Sequence, residues 1–286
     1  MRFDDPLSLC LPINYIKSFD MREKICSLAE FFAQSEEYVV AVTKENSFCG
    51  VIYVHDLMQY IFRKHIKHLG LILNEPISVI LRHENYPTID YNSTLGELLK
   101  KLITHERPEG IIITEEDEVK GYLSLKTLYS ATHDWHRMWR EMHDIIDINR
   151  RALISPNALL KRAAHLLIKN NVGIIVVRWR GRVRGIISHY DILRILSEKK
   201  TLNRVMEGDD EYFLEISCRD VLNSKFSFLE LKDLNEHTFK SFVADHGYIL
   251  VLTDRKSKKL KYFMTDNDIY GYFIEYVKKR MRYEKY

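Results

Sequence analysis

The chain has 286 residues, more than one typical domain needs, and 46% of them are hydrophobic, enough to build packed cores. Its 43 Lys and Arg are intermixed with 40 Asp and Glu, for a formal net charge of +3, so no nucleic-acid partner is demanded. No apolar run approaches the roughly 20 residues of a membrane helix, and the start MRFDDPLSLC lacks a basic stretch followed by a greasy one. A cytoplasmic protein without membrane attachment is the expectation. Cys10, Cys26, Cys49 and Cys218 are scattered without C-x-x-C spacing, which predicts buried thiols and argues against a disulfide framework or a zinc site.

In chain order the same elements recur. REKICSLAEFFAQ (22–34) predicts a helix, YVVAVT (38–43) a strand buried on both faces, KENS a turn and FCGVIYV (48–54) a second strand. TLGELLKKLITHE (94–106), GIIIT, EEDE and VKGYLSL repeat the order. The third copy is NALLKRAAHLLIKNN (157–171), VGIIVV, RWRGR and VRGIIS, with Leu160, Ala163, Ala164 and Leu167 at helical spacing and Ser155 and Pro156 as start signals. LNEHTFKSFVAD (234–245), YILVL, TDRKSKK and LKYFMT make the fourth. Each copy ends in a strand-to-helix corner, seen from Gly50, Gly121, Gly185 and Tyr262 as GVIYVHDLMQYI, GYLSLKTLYSAT, GIISHYDILRIL and YFMTDNDIYGYF. A spacing of about 70 residues is too long for a solenoid, so each copy reads as a small domain.

These four copies resemble tandem CBS (cystathionine β-synthase) domains. The resemblance implies an α+β fold of four β-α-β-β-α units paired into two Bateman modules. The units fall at 9–70, 75–130, 148–200 and 217–280. A helix at 131–147, with Trp135, Met138, Trp139 and Met142 at helical spacing, would join the modules. The acidic stretch 197–217 is expected to be an exposed insertion.

The corners carry the chemistry. Ser188 and Asp191, like Thr265 and Asp268, place a hydroxyl at the strand end and an acid three residues on. That is the pattern of a capping box. It is also a geometry for a nucleoside phosphate, with free helix amides facing phosphate and a carboxylate accepting from two ribose hydroxyls. The CBS resemblance implies the second use, with adenine against Leu153 and Ile154 and beside Gly173 and Ile174. The first copy keeps Asp56 but has Tyr53 in the hydroxyl position, and the second keeps Ser124 but has Thr127 for the acid. The nucleotide sites are therefore expected chiefly in residues 143–280, and Tyr262 in place of glycine is expected to crowd a neighbouring backbone.

His133, His136 and His143 lack the closer spacing of a metal site. His55, His189 and Asn267 lie near corner acids, where His189 is open either to phosphate or to solvent. No nucleophile-and-base set, Walker loop or H-E-x-x-H helix occurs, so an enzyme is not expected. The resemblance implies a regulatory sensor of AMP, ADP or ATP, with S-adenosylmethionine a further candidate ligand, acting as a homodimer. The basic, aromatic tail YVKKRMRYEKY is open to three uses: contact with the acidic surface of an effector protein or domain, a lead into another domain, or fraying. Two alternatives stand beside it: the sensory half of a larger signalling enzyme, such as a cyclic-dinucleotide cyclase, and a structural module with degenerate pockets.

Overall fold

The computed structural model describes residues 6–7, 13–45, 47–63, 68–81, 87–104, 110–116, 118–124, 126–128 and 150–283. The proposed joining helix at 131–147, with its three histidines, and Cys10 lie outside the described residues.

In chain order the elements are β1 (Ser18–Asp20), α1 (Ile25–Ser35), β2 (Val39–Lys44), β3 (Ser47–Tyr53), α2 (Val54–Arg63), α3 (Leu69–Asn74), β4 (Thr88–Asp90), α4 (Leu95–Thr104), β5 (Ile111–Glu115) and β6 (Glu118–Leu123). The chain continues with β7 (Leu153–Ile154), α5 (Leu160–Asn170), β8 (Ile174–Trp179), β9 (Arg182–Ser188), α6 (His189–Ser197), α7 (Lys199–Met206), α8 (Asp210–Leu214) and α9 (Cys218–Val221). The last elements are β10 (Leu229–Glu230), α10 (Glu236–His246), β11 (Ile249–Leu252), β12 (Leu260–Met264) and α11 (Asp266–Tyr283).

The strands form four separate three-stranded sheets, β1-β2-β3, β4-β5-β6, β7-β8-β9 and β10-β11-β12. In each, the first strand runs parallel to the middle one and the third antiparallel to it. A parallel pair needs a crossover, and α1, α4, α5 and α10 supply it. The middle strands are apolar runs buried over their first residues, as expected of strands covered on both faces. Helix α5 buries Leu160, Ala163, Ala164 and Leu167, the four residues that its periodicity selects.

One irregularity recurs in all four sheets. Val42 pairs with Gly50 but Thr43 with Phe48, so Cys49 is skipped. The same step skips Lys120, Arg184 and Lys261 in the other copies. Such a bulge bends the strand and re-aims the extra side chain. The glycine that follows has its own reason at two copies. A Cβ on Gly121 would sit 2.3 Å from the Asn14 carbonyl, and one on Gly185 would sit 2.6 Å from that of Asn223. There the chain leading into the first copy bridges to Tyr122 of the second, and the chain leading into the fourth bridges to Ile186 of the third.

The chain packs as two compact units, neither of them contiguous. One comprises residues 17–84 and 150–226, the other 1–16, 85–149 and 227–286. In the former, the first and third copies share a helical core in which α1 packs on α6 and α2 on α5. Leu28, Phe32, Leu57, Met58, Leu160, Ala164, Ile192 and Leu193 are all fully buried there. In the latter, α4 packs on α11, and the Tyr270 hydroxyl donates to the Leu102 carbonyl at 2.9 Å. Residues 143–280 are thus not self-contained, because the helical face of the third copy is covered by the first.

The stretch 197–217 is not an exposed insertion. It folds as α7 and α8, which bury Thr201, Val205 and Phe213 in the unit of the first and third copies. Two of its acids serve helix starts. Asp209 accepts from the Tyr212 amide at 3.2 Å, and Asp210 accepts from the His68 and Leu69 amides at the start of α3. Gly70 of α3 lets the backbones approach, since a Cβ there would lie 2.5 Å from the Val205 carbonyl. Phe213→Ala should therefore cost about 3–5 kcal/mol in urea denaturation, the range for emptying a fully buried aromatic site. An unchanged midpoint would show that the segment is not part of the core.

Candidate functional site

The third corner is a complete capping box. Ser188 is the N-cap of α6, in an extended conformation (φ −108, ψ 174). Its Oγ accepts from the Asp191 amide at 3.2 Å, while Asp191 Oδ2 accepts from the Ser188 amide at 2.8 Å and from its hydroxyl at 2.7 Å. Asp191 Oδ1 accepts from Arg194 Nη1 at 3.1 Å, and Arg194 Nη2 donates to Glu36 Oε1 at 3.0 Å. Asp191 is buried, so this is a held carboxylate and not a solvated one. Ser188 faces Ile174 across the β8–β9 pair, with Gly173 just before it. Leu153 and Ile154 pair with Val176 and Val177, two and three residues further along β8 than Ile174. The sheet thus holds Ser188, Gly173 and Ile174 at the corner, with Leu153 offset by about 7 Å and Ile154 by about 10 Å along the strand.

The fourth corner repeats the box. The Thr265 amide and hydroxyl each donate to Asp268 Oδ2 at 2.8 Å, and Thr265 Oγ1 accepts from the Asp268 amide at 3.3 Å. Thr265 is fully buried. Gly271 occupies the position that Arg194 holds in the third copy. Thr265 and Asp268 belong to the compact unit of the second and fourth copies, whereas Ser188, Asp191 and Asp56 belong to the other.

The remaining corners differ as their side chains dictate. At the first, Tyr53 is buried and so is Asp56. At the second, Ser124 and Thr127 hydroxyls lie 2.9 Å apart, Ser124 Oγ accepts from the Thr127 amide at 3.1 Å, and Asn14 Nδ2 donates to Thr127 Oγ1 at 3.4 Å. This is a neutral version of the box, without a charged acceptor.

His189 is not solvent-exposed. It is buried against His55, ring centroids 5.7 Å apart at 75°, and its Nε2 has no hydrogen-bond partner. Burial, and secondarily the charge of His55, push its pKa down to about 3. Nothing in the sequence links His55 to His189, because only the helical packing of the first copy on the third brings them together. Arg194 was also missed, although its place three residues after an acid on a helix is a readable signal.

Among the described residues no group of three or more His, Cys, Asp or Glu could hold a metal ion, and no helix is long and apolar enough to cross a membrane. Cys26, Cys49 and Cys218 are thiols. Cys218 is buried as expected, and its burial raises its pKa to about 11, whereas Cys26 and Cys49 are only partly covered.

The buried imidazole fixes a sign for pH dependence. Unfolded, His189 takes up a proton near pH 6.5; folded, it resists protonation down to about 3. Its contribution to stability is present above about pH 6.5 and is lost as pH falls toward 3, with a slope of up to about 1.4 kcal/mol per pH unit. Urea midpoints measured from pH 7 to pH 4 should fall in the native protein and fall less steeply in His189→Gln. Parallel curves would contradict the neutral buried imidazole.

The CBS domain family model matches residues 144–198, which span the third copy. The uncharacterized protein MJ1225 of Methanocaldococcus jannaschii is 23% identical over 245 residues, covering 80% of this chain and 84% of that protein. The crystal structure of MJ1225 superposes with a TM-score of 0.71 at 17% identity, covering 94% of this chain and 100% of that one. An uncharacterized conserved protein from Pyrococcus horikoshii superposes with a TM-score of 0.52 at 12% identity, covering 93% of this chain and 98% of that one. The family match thus lies on the third copy, and the other three sheets repeat its strand order.

Proposed function

We propose that the chain is a regulatory, non-catalytic sensor that binds an adenine nucleotide at its third and fourth corners and passes the occupancy on as a change in packing. The observation that carries this reading is the difference among the corners. Only the third and fourth join a hydroxyl to a buried or half-buried carboxylate at a helix start. The likeness to MJ1225, which has been proposed as an archaeal homolog of g-AMPK, supports it.

In this reading Asp191 and Asp268 accept from the ribose hydroxyls, and the first amides of α6 and α11 face phosphate. Adenine lies against Leu153, Ile154, Gly173 and Ile174 in the third copy. Arg194 releases Asp191 Oδ1 or shares it with the sugar, so Arg194 sets how readily the third site fills. AMP, ADP and ATP all satisfy this chemistry, and S-adenosylmethionine satisfies its sugar and base part. Regulation follows by linkage, because a ligand moves a packing equilibrium only by its differential affinity for the two states. Self-association into a dimer, a cytoplasmic setting and an effector at the C-terminal helix belong to the same proposal. The second reading, a structural module whose corners serve only as caps, is favoured by one observation: Oδ2 of both acids is already taken by the hydroxyl and amide of its own box.

The sugar separates the two readings. Ligand at about 100 times its dissociation constant stabilises a fold by roughly 2.7 kcal/mol, which for 150–250 residues moves melting by several degrees. AMP should produce that shift, and 2′,3′-dideoxyadenosine monophosphate, with the same base and phosphate, should produce much less. Equal shifts would remove the ribose role of the acids, and no shift with any adenine nucleotide would leave the structural module.

A further inference from the structure

The hairpin of the third copy reads RWRGRVR over residues 178–184, four arginines without an acid. Trp179 ends β8 and Arg182 begins β9, joined by Arg180 and Gly181 at φ 50 and 80, the two positive values of a type I′ turn. The equivalent bulge lysine of the second copy, Lys120, is paired with Glu115 at 3.3 Å and Glu118 at 3.4 Å. In the fourth copy the turn residue Arg255 is paired with Glu230 at 2.6 Å. Among the described residues Arg178, Arg180, Arg182 and Arg184 have no such ion pair.

Beside this hairpin lies a cleft of about 600 Å³ lined by Pro156, Trp179, Arg184, Arg219, Leu222 and Ser224. Every one of these residues belongs to the same compact unit. The cleft is distinct from the corner, since Arg184 precedes Ser188 by four residues of strand, or about 13 Å. One half of its lining is apolar and the other carries two guanidinium groups. Trp179 keeps 38% of its surface exposed, with the Arg180 guanidinium 5.8 Å from its ring. Arg219 is steadied by donating to Asn157 Oδ1, and the bulge turns Arg184 out of the ladder.

We propose that this cleft docks an acidic segment of a partner protein. Carboxylates of the segment sit in the forks of Arg184 and Arg219, and one of its aromatic or aliphatic side chains rests on Trp179, Pro156 and Leu222. Guanidinium matches carboxylate two-pronged, and an exposed tryptophan in a concave site is the usual anchor of an interface. An inorganic anion would leave the apolar half unfilled. A mononucleotide would find no carboxylate in the lining for its ribose, and it is too compact to reach on to Arg182, which pairs with Trp179 and shares its face of the hairpin. An extended peptide runs that distance. A nucleic acid would need a longer basic track than one hairpin on a chain of net charge +3. The inference does not depend on nucleotide binding at the corners.

The test uses the full chain and a fluorescent seven-residue peptide of Asp and Glu around a central Phe, followed by anisotropy. Binding should weaken about tenfold or more in Arg184→Glu and in Arg182→Glu, whose side chain is exposed and outside the core, and again in Trp179→Ala. It should also weaken when the peptide acids become amides or its Phe becomes Gly, and when salt is raised. Melting temperatures without peptide should stay unchanged in the Arg182 and Arg184 variants. Equal peptide binding by the arginine variants would overturn the proposal. So would tighter binding of a single-stranded oligonucleotide, or a sole effect of the variants on self-association.

Discussion

At the third and fourth corners the turn from sheet to helix rests on one short-range interaction, the carboxylate that sits three residues after a strand-ending hydroxyl and accepts both the amide and the hydroxyl of that residue. It converts the end of β9 into the start of α6, and the end of β12 into the start of α11, without a connecting loop. An abrupt corner fixes the angle between sheet and helix, and that angle decides which helical face meets the neighbouring copy. The bulge one step upstream, present in every sheet, bends the third strand into the same corner. A neutral pair at Ser124 and Thr127 makes the turn with weaker bonds, and a buried tyrosine ring occupies the first copy's hydroxyl position. Architecture is thus repeated four times while the chemistry of the corners is not.

Divergence among the copies also explains where charge goes. In the second and fourth copies, basic side chains around the hairpin find acids nearby, Lys120 with Glu115 and Glu118, and Arg255 with Glu230. The third copy directs its arginines outward instead. Its helix, by contrast, closes inward on the first copy, where two imidazoles are buried against each other with one of them held neutral. A single copy therefore combines a rigid apolar face, a polar corner and a cationic rim. Ligand at the corner and partner at the rim would act on the same small sheet, a short path for any coupling between them.

Most of the fold was legible in the sequence because each element carries a local signal. Leu160, Ala163, Ala164 and Leu167 mark a helix face, and continuous runs such as VGIIVV mark covered strands, so the predicted strands and helices fall within a few residues of those observed. The capping box was equally readable at Ser188 and Thr265, since its partners are three residues apart. What depended on packing between distant segments was not readable. The acids of 197–217 suggested solvent, yet Asp209 and Asp210 cap helices, and Val205 and Phe213 fill the core beside Gly70. The His55–His189 contact and the sharing of one helical core by the first and third copies arise in the same way. Adjacency in the chain could not reveal them.

Whether Asp191 and Asp268 read a ligand as well as hold a helix start is decided by calorimetry of AMP binding to the full chain with each acid changed to Asn. Asn keeps a carbonyl oxygen that can accept from the Ser188 or Thr265 amide, so the box and the fold should survive, while the charged acceptor for the ribose is lost. Each substitution should weaken its own class of site about tenfold or more and leave the other unchanged, in line with the roughly 1.5–3 kcal/mol of a charged hydrogen bond. Wild-type affinity and stoichiometry in both variants would contradict the ribose role of the acids and leave the corners as caps alone.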